Sequence, residues 1–351
     1  MLRSIARALA LATALQVSVL ALGSSLVGAQ EAAGYHVVKT IPVGGDGGWD
    51  YAIVDAAARR LYVSHATKAV VIDLESERVI GAVTPANGIH GIALAPDLGR
   101  GFTSNGRDTS VTIFDLKTLV TIQRVQVTGA NPDAIIYDVA STRVFTFNGR
   151  GQNATAIDAR TGAVVGTIPL GGKPEFAQVD GRGTLYVNIE DTHEMAVIDT
   201  KSLTVTKRYD LTGCEDPTGL ALDRENTRLM SVCGNRVMVV SDPVSGTVVA
   251  TLSIGVGVDG AMFDPVTKLA FASNGGDGTM TVIRQNGADT YSVVGTVATQ
   301  RGSRTLALDT STHRLYLASA EFGPVPPTSA AGRPARAPML PESFAVIVVA
   351  R

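Results

Sequence analysis

Seven polar residues, Asp50, His90, Asp133, Glu175, Thr218, Asp259 and Arg304, follow one another at intervals of 40, 43, 42, 43, 41 and 45 positions. Four carry carboxylates, one an imidazole, one a hydroxyl and one a guanidinium. Gathered at one place, they could hold a small polar ligand or a divalent cation. Ca²⁺ and Mg²⁺ prefer oxygen donors, so the carboxylates make these the first candidates. The imidazole admits a transition metal, which ranks behind them. The candidate metal ligands are Asp50, His90, Asp133, Glu175 and Asp259, and Thr218 and Arg304 complete the candidate ligand site. Trp49, the only tryptophan, stands directly before Asp50. It could wall a pocket beside the ligand, or it could cover an apolar patch. The competing reading of the whole set is a ring of salt bridges that closes a channel and binds nothing.

The elements that must gather these residues come from a repeat. Each of the seven opens or nearly opens a strand-like segment: "DYAIVD", "HGIALA", "DAIIYD", "EFAQVD", "TGLALD", "DGAMFD" and "RTLALD". A second segment follows each one, such as "RLYVS", "TLYVN" or "RLYLA", then a third such as "VVIDL" or "MAVIDT", and in most copies a fourth such as "VVGTIPL". Val, Ile and Thr fill these runs, and Gly, Asn and Asp bound them, which is the strand pattern. Four short strands per unit of this length is a propeller blade. The expected fold is all-β: a seven-bladed β-propeller of four-stranded blades. The last unit ends at Arg351 after its third strand, while "YHVVKTIPVGG" at 35–45 is a spare strand at the other end. The spare strand is expected to complete the last blade and close the ring. First strands line a propeller's axis. The seven polar residues should therefore meet at one mouth of the central channel.

The "YVS" and "YVN" second strands, the period and the apolar N-terminus together resemble the YVTN-repeat propellers, the YncE-like family. The resemblance spans 30–351. It implies the propeller fold and carries no reaction with it. The expected function is therefore that of an exported binding or interaction propeller, whose partner is a small polar ligand or a protein. The alternative is a metal-dependent hydrolase acting from the same mouth, by analogy with calcium-dependent propeller lactonases. In that case the metal would polarise a carbonyl or activate water, and Asn105, Asn148 and Asn274 could supply amides. Each of these is followed by Gly, so a turn-forming role comes first. A quinone cofactor is disfavoured, since the propellers that dock one repeat tryptophan in their blades.

Composition narrows the remaining classes. The 351 residues are 45% hydrophobic and 18% charged, with a formal charge of −2 and no basic patch, so a nucleic-acid partner is not expected. Residues 1–29 read as a signal peptide, with Arg3 and Arg7 before an apolar run and Val27-Gly28-Ala29 as the cleavage site. A periplasmic or secreted location follows, for a single domain over 30–351 that is expected to be monomeric and not inserted in a membrane. Nothing after residue 30 reads as a membrane span. The two cysteines, Cys214 and Cys233, are then expected to form a disulfide. Asp73, Asp115, Asp158, Asp199 and Asp242 end third strands and should brace the turns that follow. The stretch 323–343, "GPVPPTSAAGRPARAPMLPES", interrupts the last blade and should stay out of any sheet as a surface loop, lid or docking arm.

Overall fold

The computed structural model describes residues 32–325 and 337–351, so the segment 1–29, expected to be a signal peptide, and the middle of the Pro-rich loop lie outside the described residues. Seven antiparallel four-stranded sheets follow one another around a ring, which is the expected seven-bladed propeller. In blade one the strands are Ala52–Asp55, Arg60–His65, Lys68–Asp73 and Arg78–Val83, from the axis outward. The N-terminal strand, His36–Pro42, pairs antiparallel with the C-terminal strand, Ala345–Ala350, and forms the outer edge of blade seven.

Burial explains the composition of each strand. Second and third strands are covered on both faces by neighbouring blades, so "RLYVSH" and "KAVVID" are buried almost throughout. Fourth strands face water, and "RVIGAV" is exposed along half its length. Between blades one and seven, Leu61, Val63, Val70 and Ile72 pack on Tyr316, Val346 and Val348, and Ile41 of the N-terminal strand enters the same cluster. Ring closure is therefore a hydrophobic seam as well as a hydrogen-bonded edge.

The turn aspartates behave as expected. Asp115, Asp158 and Asp199 each accept backbone N–H bonds from residues two and three positions on. Asp138, Asp223 and Asp264, at the ends of first strands, do the same, and Asp309 accepts the Ser311 N–H and the Thr312 hydroxyl. Several also reach the next blade: Arg59 bonds Asp309 at 2.5 Å, and His313 bonds Asp264 at 2.7 Å. In blade two Ala95 cannot brace its turn, and a 3-10 turn, Pro96–Leu98, stands there instead.

Two expectations need correction. The first strands of blades one and seven begin late, at Ala52 and Leu306. Their leading residues bond to neighbouring blades instead: the Tyr51 N–H donates to the His90 carbonyl and the Thr305 hydroxyl to the Asp50 carbonyl. The Pro-rich stretch does not stay wholly apart from sheet structure. Phe322 and Met339 form an antiparallel bridge, and the Gly323 N–H donates to the Pro338 carbonyl, so the loop leaves and re-enters the blade as a paired stem. Among the described residues no helix is long and apolar enough to cross a membrane.

Candidate functional site

Side chains of the second strands fix the openings of most first strands from behind. Ser64 accepts the Asp50 N–H at 2.8 Å, and Ser104 accepts the Gly91 N–H at 2.8 Å. The Ser104 hydroxyl also donates to the Asp133 carbonyl of the next blade, and Ser273 likewise to Arg304. Asn188 donates to the Thr218 carbonyl at 2.8 Å. The Ser or Asn that follows "YV" or its equivalent is thus a bracket for the mouth. All seven ring residues line one recess of about 310 Å³ at the end of the channel, and Trp49, the eighth candidate, stands outside it.

Inside the recess the side chains form a chain of charge contacts. His90 Nδ1 lies 2.7 Å from Asp50 Oδ2 and 3.6 Å from Asp133 Oδ1. Arg304 reaches Asp50 Oδ1 and Asp259 Oδ2, both at 3.2 Å. Thr218 contributes a hydroxyl and no charge. One ligand atom each from Asp50, His90 and Asp133 all fall within 4.8 Å of one another, close enough to share one metal ion.

Two further residues belong to the site and were missed from the sequence. Lys173 Nζ lies 2.6 Å from Glu175 Oε1 and also pairs with Glu190. Glu190 follows the second strand of blade four, where the other blades have Ala66, Gly106, Gly149, Gly234, Gly275 and Ala320. The small residue leaves room for the mouth. A Cβ on Gly106 would come within 2.8 Å of the His90 ring, and one on Gly275 within 2.7 Å of Arg304. A charged side chain at a position otherwise kept small was the signal that could have found it.

The recess holds five carboxylates, Asp50, Asp133, Glu175, Glu190 and Asp259, against the fixed cations Lys173 and Arg304. Burial, with repulsion from neighbouring acids, drives Asp133 up to about 6 and Asp259 to about 7, although His90 and Arg304 pull them back. Glu175 is raised further, first by burial, then by its contact with Glu190 and the charge of Asp133. Burial opposes the charging of His90, but the bond to Asp50 and the charge of Asp133 outweigh it and raise its pKa. The cup therefore reaches neutrality only by retaining protons.

Trp49 takes the covering role. Its ring packs on Phe344 and Phe322, with centroids 5.4 and 6.1 Å away, over the seam of blades one and seven. One edge still borders a shallow groove of about 730 Å³ beside the cup, with Arg107 and Arg150 on its other side. The three asparagines do not serve the site. Asn105, Asn148 and Asn274 are fully buried and spend their amide N–H groups on Thr112, Thr155 and Thr281 of the third strand. The amides needed for the lactonase analogy are turned into the blades. Cys214 and Cys233 are joined, with Cα atoms 5.4 Å apart.

Fold and recess define a β-propeller with an acidic cup at one mouth of its channel. No protein-family model matches the chain, and no curated protein does. Among solved structures, hydrazine synthase of Kuenenia stuttgartiensis is similar with a TM-score of 0.68 and 16% identity, over 80% of this chain and 94% of that one. Likeness at this identity shows the propeller fold alone.

Proposed function

We propose that the protein is an exported binding propeller of the YVTN-repeat kind whose cup takes a divalent cation, or the cationic group of a small polar ligand. The observation that carries this is the charge balance of the recess. Five carboxylates face two fixed cations, and three of those carboxylates are pushed toward their protonated forms. Keeping several buried acids without compensation is costly. A cation between Asp50, His90 and Asp133 would remove that cost, with Asp259 and Glu175 at the second rank. Export is supported by the disulfide, since such bonds persist in oxidising compartments, and by the Arg-led apolar segment at residues 1–29.

The reading is tested by thermal melts of chelator-treated protein with Ca²⁺, Mg²⁺, Mn²⁺ or Zn²⁺ added. Wild type should gain stability with at least one of them, because a ligand that binds only the native state raises its stability. Asp133→Asn combined with Asp259→Asn should melt at least as high as wild type without metal and gain nothing when metal is added. A wild type indifferent to all four ions, and to small organic amines, would overturn the reading.

A further inference from the structure

The opposite end of the channel is a different kind of space. The ring of Tyr51, from blade one, meets that of Phe176, from blade four, at 5.0 Å between centroids. The pair forms a floor between the acidic cup and a second cavity of about 300 Å³. This second cavity is a funnel walled by Ile53, Leu94, Ile136, Val179, Met262 and Leu308. All but Val179 are only half-buried, so their exposed parts face the funnel's open space. A dead-end cavity with an apolar wall and few polar groups is the usual form of a small-molecule site.

Arg224 is the one charged residue of the wall, and it sits just past the end of its first strand. One of its amino groups donates to the Val179 carbonyl at 2.8 Å. Among the described residues it makes no ion pair. The carboxylates beside it are otherwise engaged: Asp180 accepts the backbone N–H groups of Arg182 and Thr184, and Asp223 accepts the Glu225 N–H and the side-chain amides of Asn226 and Gln285. Arg224 is exposed, so its remaining guanidinium N–H groups face solvent at the rim of the apolar pit.

We propose that the funnel is a second binding site, for a small amphipathic anion: an apolar chain against the wall and a carboxylate or similar oxyanion on Arg224. The space equals about ten water volumes, which suits a chain of about that many heavy atoms. The Tyr51–Phe176 pair lies between this site and the cup, and the space beside the pair, bordered by Asp259 and Met262, is only about 10 Å³.

Octanoate is the direct probe, titrated into the purified protein with methyl-resolved NMR as the readout. Shifts are expected at Ile53, Ile136 and Leu308, with no change at the cup. Octanoate should bind about tenfold tighter than octanol, as a charge-assisted bond allows, and octylammonium more weakly than either. Arg224→Gln should erase the preference for octanoate over octanol while leaving octanol binding unchanged. Ile136→Trp should block all three. If that variant does not fold, the wild-type shift map and the Arg224→Gln comparison still decide. No methyl shifts at millimolar octanoate, shifts confined to the outer surface, or equal binding of the three head groups would overturn the proposal.

Discussion

Tyr51 and Phe176 belong to blades one and four, yet their rings touch across the axis at a 49° tilt. Residues at the same place in the other blades are Gly91, Ala134, Gly219, Gly260 and Thr305. Seven strands converge there, and space remains for two large side chains only. A Cβ on Gly219 would fall 2.7 Å from the Asp259 carbonyl oxygen, and one on Gly91 would fall 3.0 Å from that of Asp133. The small residues let the strands approach, and the two aromatics plug what is left. Tyr51→Ala should cost about 3 kcal/mol or more, as aromatic truncations in cores do. Tyr51→Phe should stay within about 1 kcal/mol of wild type. Denaturant melts of both variants check this, and equal losses would show that the hydroxyl, not the ring, matters.

The cup sets a pH dependence with a defined sign. Asp133 and Asp259 are raised to about 6 and about 7 in the folded protein, against a value near 4 for an unfolded aspartate. Between those limits the native state holds more protons than the unfolded one, so stability falls as pH rises from about 4 to about 7. His90, also raised in the folded state, adds a loss in the same direction above its unfolded value of about 6.5. The melting temperature of cation-free protein should therefore decline across this window, and the decline should flatten in Asp133→Asn with Asp259→Asn. A wild-type curve that rises over the same range, or a variant with an unchanged slope, would contradict the assignment.

Much of this was legible in the sequence because the repeat carries it. A period a little over 40 residues, runs of Val, Ile and Thr bounded by Gly, Asn and Asp, and a spare N-terminal strand were enough for the blades and their closure. The register then placed Asp50, His90, Asp133, Glu175, Thr218, Asp259 and Arg304 at one mouth. Lys173 and Glu190 were not legible, because both come from turns of blade four, off the register that was compared. Asn105, Asn148 and Asn274 misled, since a strand-end amide looks available until the third strand is seen to absorb it. Trp49 could be settled only once Phe322 and Phe344, far along the chain, were seen beneath it.

Closure of the ring rests on Ile41 more than on the rest of its strand. Ile41 is 1% exposed, whereas Val38 of the same strand is 43% exposed. Ile41→Ala should cost about 2–4 kcal/mol and Val38→Ala under about 0.5 kcal/mol. Equal effects in urea melts would mean that the N-terminal strand is a loose appendage.

The disulfide should stabilise blade five. Cys214 and Cys233 are 19 positions apart, and closing a loop of that size is worth about 3 kcal/mol in the chain-entropy view. Replacing both by Ser should lower stability by about that amount, and alkylation of the denatured, unreduced wild type should add no mass. Two alkylated thiols would remove the bond.

The most direct measurement is the metal content of purified, dialysed protein, by elemental analysis, with Asp50→Asn plus Asp133→Asn as control. Cation binding in the cup gives about one divalent ion per wild-type chain after equilibration with Ca²⁺, Mg²⁺, Mn²⁺ or Zn²⁺ and close to none in the control. Wild type that retains no more of any of these ions than the control would contradict it, and would leave the ring of Asp50, His90, Asp133, Asp259 and Arg304 as a salt-bridged closure of the channel.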